Sequence, residues 1–359
     1  MKIQYRPSLS SYQPAPLPEN SSLTLELSWV MGLLFLAVAL LVLLLGQTPV
    51  YRPLVGAMSI NFLAMMVEAL PFMLIGSLVG GVIEVFVPVA WVERVFQRRH
   101  LRGVLVAGAM GLVVPVCDCA VGPVMRRWLS KGVPFGAALA FLLGGPIVNP
   151  LVAASTAVAY SFTWHPVALR LGCGYLIAVV VGLLLGRWFN RDNGLTAAIQ
   201  QTASLGCGHI HCDHGNDKPG LKSQLFHALG HAADDFFSVG SYLVIGTFIA
   251  AFVRSAVSLE VFNQLLGAPW QAIVLMMAMA VLLNLCSEAD AFIAASFRGL
   301  LPPSAQLAFM VLGPMFDLKL LLLYFGLFSK RAIVCLVSAV LSLVLLTMLA
   351  LHYLLPNSF

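Results

Sequence analysis

The 359-residue chain is 60% hydrophobic and only 10% charged, with a net charge of +5 and a mean hydropathy of +0.93. A soluble domain carries roughly 25% charged residues, so this composition leaves too little polar surface for a water-soluble protein of this size. The basic residues form short clusters between apolar runs, not one continuous face, a pattern of membrane orientation that excludes a nucleic-acid partner.

Residues 1–25 are polar and rich in Pro and Ser, and read as a disordered tail. Residues 26–50 contain the apolar run 28–46 without a small-residue cleavage site, and read as an extra first transmembrane helix. Further apolar runs at 58–93, 135–160, 166–186, 236–253, 269–286 and 332–355 have the length of membrane spans. The fold class is therefore an all-α polytopic membrane protein of about 7–9 spans.

The chain repeats itself. "PFGAALAFLLGGPIVNP" (134–150) aligns without gaps on "PPSAQLAFMVLGPMFDL" (302–318), with Pro134/Pro302, Ala137/Ala305, Leu139/Leu307, Ala140/Ala308, Phe141/Phe309, Gly145/Gly313 and Pro146/Pro314 identical. Asn149 falls on Asp317. Two homologous transmembrane halves follow, 55–190 and 224–359, joined by a Cys/His-rich linker at 191–223. Such repeats are a transporter signature, with sites where helices are broken near mid-membrane. The basic clusters at 93–102 and 126–131 prefer the same side of the membrane. This predicts that 103–131 is a re-entrant hairpin and that the halves are inverted, the alternative being nine full spans with parallel repeats.

Three clusters carry candidate chemistry. In "VPVCDCAVGPV" (113–123), Cys117, Asp118 and Cys119 sit between Pro115 and Pro123. Proline breaks a helix and frees backbone carbonyls. A break at this point presents two soft sulfur ligands to a cavity, where a lone cysteine would read as a small buried hydrophobe. In "NLCSEADA" (284–291), Cys286, Glu288 and Asp290 crowd the end of an apolar run. An acid at mid-membrane costs at least ~2.5–3.5 kcal/mol and is a functional candidate by default. Asn149 and Asp317, each three residues beyond a Gly-Pro pair, are further cavity candidates, with Lys319 as a partner for Asp317. Glu68, Asp234 and Asp235 are either proton relays or interfacial acids. In the linker, Cys207, His209, His211, Cys212 and His214 place five ligands in eight residues, a candidate Zn or Cu site. His227 and His231 lie nearby.

No GK[ST] phosphate loop and no recognisable Ser/His/Asp arrangement occurs, so the pattern predicts no enzyme and no required cofactor.

The stretches "PVCDCAVGPVMRRWLSKGVPFGAALAFLLGGPIVNP" (115–150) and "CSEADAFIAASF" (286–297) resemble the paired motifs of a predicted-permease family that includes the trivalent organoarsenical efflux permeases. The similarity covers most of the chain after residue 55. It implies an inner-membrane permease with two homologous halves, and, by analogy with the arsenical members, substrate at Cys117 and Cys119. This chain differs from those members in carrying Asp118 between the cysteines and "GGPIVNP" at 144–150.

The expected function is a secondary transporter of a small metal(loid), organometalloid or sulfur compound. It would use Cys117, Asp118, Cys119, Asn149, Cys286, Glu288, Asp290 and Asp317, with a homo-oligomer or accessory subunit as the expected assembly. The alternatives are a membrane thiol-redox protein acting through Cys117/Cys119 and a membrane subunit of a larger complex.

Overall fold

A computed structural model describes residues 52–86, 100–114, 116–130, 132–196, 221–256 and 269–354. The predicted tail, the first helix and the Cys207–His214 tract lie outside the described residues. By compactness the chain divides into Met1–Gly56 and Ala57–Phe359. The first unit is described only from Arg52, where a helix begins, and the rest of this account concerns the second.

The described residues form helices and turns, with one isolated antiparallel bridge between Leu195 and Phe328. In the first half the order is α1 (Arg52–Phe86), α2 (His100–Ala109) with a 3-10 turn at Met110–Leu112, α3 (Val121–Ser130), α4 (Phe135–Gly144), α5 (Pro150–Ala159) and α6 (Trp164–Trp188). The second half runs α7 (Leu221–Ala256), α8 (Pro269–Leu283), α9 (Ser287–Ser296), α10 (Pro303–Leu312), α11 (Leu318–Leu327) and α12 (Lys330–Leu354). The two series match in order. Each begins with a helix of about ten turns, continues through two pairs of short helices and ends on a 25-residue helix.

Local chemistry explains the breaks. The run 135–160, expected as one span, is instead two ten-residue helices. Pro146 has no N–H to continue α4. The chain restarts at α5 because the Asn149 side chain accepts from the Leu151 N–H at 2.9 Å, with Pro150 at the first helical position. The second half uses the same device: Pro314 ends α10, and Asp317 Oδ1 accepts from the Leu320 N–H at 2.6 Å to start α11. A ten-residue helix is about 15 Å long, half the ~30 Å apolar thickness of a bilayer. A crossing made of two such pieces therefore carries its polar break near mid-depth.

The core follows α4, apolar on all sides, and α10, polar only at Ser304 and Gln306. Every residue of α4 is buried, as are Ser304–Leu312 of α10. A helix of that kind belongs inside a bundle. α4 packs against α2 and α6, and α10 against α8 and α12. Glycines permit the close approach: a Cβ at Gly144 would lie 2.6 Å from the Gly108 carbonyl oxygen. The halves meet where α6 packs on α10 and α12, and α5 on α9. On the outside, Ile60, Leu63, Val67, Leu70, Leu74 and Leu78 make an exposed stripe along α1. Val55–Val82, Trp164–Trp188 and Lys330–Leu354 are long and apolar enough to cross a membrane, and with such a stripe lipid is the solvent they suit.

Candidate transport site

The first break turns tightly into α3. The Cys117 carbonyl accepts from the N–H groups of Ala120 (3.1 Å) and Val121 (3.0 Å). This turn gathers Cys117, Asp118 and Cys119, all buried, so that one ligand atom from each lies within 4.8 Å of the others. Both thiols are free.

The second break supplies the partner charges. Lys319, in the first turn of α11, places its ammonium on Asp118 Oδ2 and 3.4 Å from Asp317 Oδ2. Sequence pairs Lys319 with Asp317; in the folded chain its tighter partner is Asp118, from the other half. A buried ammonium between two buried carboxylates leaves a net negative cluster, and Asp118 Oδ1 has no hydrogen-bond partner.

Cys286 stands at the start of α9, its thiol donating to Glu288 Oε2. Glu288 and Asp290 lie in the first turn of that helix, where free backbone N–H groups favour negative charge. Asn284, just before, adopts a left-handed backbone (φ 50°) and is buried with neither side-chain polar atom hydrogen-bonded. Cys117, Cys119, Cys286, Asn284, Thr247, Lys319 and Glu68 line one small cavity of about 20 Å³, room for roughly one water-sized body.

A second polar cluster is centred on Arg170, which does not line that cavity. Arg170 of α6 is fully buried; it donates from Nε to the Met310 carbonyl (3.2 Å), from one terminal nitrogen to Thr156 Oγ1 (2.8 Å) and from the other to the Ser287 carbonyl (2.6 Å). The Met310 carbonyl is the one that Pro314, four residues on, cannot serve. Asp290 is buried beside Gly313, where a Cβ would lie 2.5 Å from its Oδ2.

The folded chain thus brings Cys117, Cys119, Cys286 and Glu68 to one cavity, with Asp118 and Asp317 joined to it through Lys319. Asn149 does not line that cavity; it caps α5. The side chains of His227, His231, Asp234 and Asp235 lie outside the described residues. Sequence reasoning missed Asn284, Thr247 and Arg170. The signal for Arg170 was present, since a lone arginine within an apolar run demands buried partners.

Long apolar helices around broken, polar-lined ones define an integral membrane protein of the permease class. Comparison is consistent with this: residues 54–353 match the family model described as "Predicted permease". The UPF0718 protein YcgR of Bacillus subtilis is 37% identical over 284 residues, covering 79% of this chain and 93% of the relative. A Streptococcus mutans protein, named as a subunit of a two-component membrane permease complex, is 36% identical over 272 residues, 76% of this chain and 87% of its own. The UPF0718 protein YraQ of Escherichia coli is 27% identical over 126 residues, 35% of this chain and 36% of that one. No solved structure matches. The chain belongs to this predicted-permease family; it is a membrane transporter, and its bacterial relatives place it in the plasma membrane.

Proposed function

We propose that this permease is a secondary transporter of a small thiol-seeking substrate, a metal(loid), organometalloid or sulfur compound, held by Cys117, Cys119 and Cys286. The observation that carries this reading is the convergence of three thiols, from the breaks of both halves, on one cavity. Thiolates favour soft ions, and a charged cluster at such a break is the common site design of transporters. The absence of a GK[ST] loop from the sequence favours an ion gradient as the driving force. Glu288 and Asp290 are the candidates for carrying coupling protons.

The matched helix lengths of the two series favour an internal repeat, with alternating access by one half rocking against the other. The basic clusters at 93–102 and 126–131 favour a re-entrant pair at 103–131 and inverted halves. The linker tract Cys207–His214 is read as a Zn or Cu site that senses or delivers an ion. The name of the Streptococcus mutans relative supports an accessory subunit as partner.

The test is flux in proteoliposomes under an imposed proton gradient, using a panel of soft cations, arsenicals and thiol compounds. At normal expression, Cys117→Ser with Cys119→Ser abolishes gradient-driven uptake of the transported compound. Retained uptake in the double variant, or a trapped mixed disulfide turning over without net flux, overturns the reading.

A further inference from the structure

We infer that the cargo of this cavity is a divalent cation of the soft-to-borderline class, Zn²⁺ being the type case, bound by Cys117, Cys119 and Asp118, and that it enters by displacing the Lys319 ammonium from Asp118 onto Asp317. The inference rests on the transport reading above and specifies its ligand set.

The donor chemistry comes first. Two thiols and one carboxylate lie with their ligand atoms within 4.8 Å of one another. Donors around a tetrahedral Zn²⁺ sit about 3.5–4 Å apart, a distance that small side-chain rotations reach. Each sulfur gives up its proton to solvent as its bond to the metal forms. An uncharged metalloid compound gains nothing from Asp118, whereas a dication gains a strong partner in a low-dielectric site. The cavity, about 20 Å³, suits a bare ion better than a larger compound.

Two buried groups keep polar atoms without a hydrogen-bond partner. Asp118 is 1% exposed and its Oδ1 has no hydrogen-bond partner. Asn284 is 2% exposed, lines the cavity that Cys117, Cys119 and Lys319 also line, and leaves both its amide atoms unpaired. Buried polar atoms are costly to leave unmade. Asn284 at the cavity and Asp118 between its two lining cysteines are accounted for by a ligand that arrives there, with Asn284 holding the ion or its water.

Lys319 shows what sign of charge the site takes. Its ammonium is a compact point charge on a flexible stem, seated on Asp118 Oδ2. A second seat is adjacent: Asp317 Oδ2, 3.4 Å from the same nitrogen, has no hydrogen-bond partner of its own. Asp118 belongs to the first half, whereas Lys319 and Asp317 belong to the second. An arriving dication takes Asp118, and the ammonium shifts to Asp317. The ion pair between the halves is then released only when cargo is bound, which couples loading to their relative movement.

The experiment uses the purified full chain with Cd²⁺ as probe, followed by its thiolate charge-transfer absorption, and phenylarsine oxide as the trivalent arsenical probe. With the linker ligands Cys207, His209, His211, Cys212 and His214 all replaced by Ala, the chain binds one Cd²⁺, and adding Cys117→Ser with Cys119→Ser abolishes that binding; all further variants are compared in this linker background. Lys319→Gln removes the competitor and tightens Cd²⁺ binding on the order of tenfold, whereas Asp317→Asn removes the second seat and weakens it by a similar factor. Asp118→Asn weakens Cd²⁺ more than it weakens the arsenical. Unchanged or weaker Cd²⁺ binding in folded Lys319→Gln overturns the displacement. If that variant fails to fold, Asp317→Asn decides. It keeps the Lys319–Asp118 pair and a capping side chain, so unchanged Cd²⁺ affinity there overturns the inference. Cysteine-dependent binding of the arsenical without binding of Cd²⁺ overturns this inference and leaves the transport reading standing. If neither probe depends on Cys117 and Cys119, the transport reading itself fails.

Discussion

Among the described residues two cations are buried, Arg170 and Lys319, and they are satisfied in opposite ways. Arg170 is held by neutral acceptors: one hydroxyl and two backbone carbonyls, drawn from α5, α9 and α10. Its planar fork reads three fixed directions, and every one belongs to scaffold. Lys319 is held by two carboxylates, lies at the cavity wall and leaves carboxylate oxygens unpaired around it. Both charges bear the cost of leaving water. The arginine ties segments together, whereas the lysine keeps a site charged and open to exchange. The difference teaches that a buried charge in a membrane protein is diagnosed by its partners, not by its burial.

The largest expected effect tests the scaffold role of Arg170. Arg170→Met leaves the Met310 and Ser287 carbonyls and the Thr156 hydroxyl without their buried donor, and should destabilise the folded protein by about 3–5 kcal/mol. The check is thermal unfolding in detergent by fluorescence-detected gel filtration. A folded, transport-defective Arg170→Met would erase the distinction between the two cations. Gly313→Ala comes next. The added Cβ meets Asp290 Oδ2 at 2.5 Å, and overpacking of this kind costs about 1–3 kcal/mol, read as a lowered melting temperature. Wild-type stability would show that Asp290 moves freely.

The two caps sharpen the comparison further. Asn149→Ala removes the Leu151 cap and should cost about 1 kcal/mol, with the flux per folded molecule retained. Asp317→Ala removes both a cap and the Lys319 contact, and should lose flux as well as stability. Equal flux loss in both would assign Asn149 to the site. The smallest effect is expected at Tyr160→Phe, which deletes the 2.9 Å hydrogen bond to Gln306 Oε1 at the α5–α10 contact. A loss of about 1 kcal/mol is expected, checked by urea or thermal denaturation, with substrate binding unaltered.

Most of the candidate site was legible in the sequence because its residues are anomalies there. Thiols and acids between prolines, inside runs that otherwise admit no charge, stand out before any fold is known; Cys117, Asp118, Cys119, Cys286, Asp317 and Lys319 were found this way. Asn284 and Thr247 were not, since neither residue type is rare enough in an apolar segment to signal a cavity. Asn149 caps α5 and does not line the cavity; a cap and a cavity residue look alike three positions beyond a Gly-Pro pair.

By itself the sequence determined that the chain is a helical membrane protein, and its prolines marked irregular points at Pro115, Pro146 and Pro314. Composition, apolar length and proline placement act locally, so they can be read along the chain. Only the tertiary structure decided which breaks meet. Lys319 belongs to Asp118, which lies in the other half of the sequence, and not chiefly to its neighbour Asp317. Arg170 serves a carbonyl freed by Pro314. Such pairings are set by how α6, α10 and α11 pack in three dimensions, and a buried charge takes whichever partner that packing brings within reach.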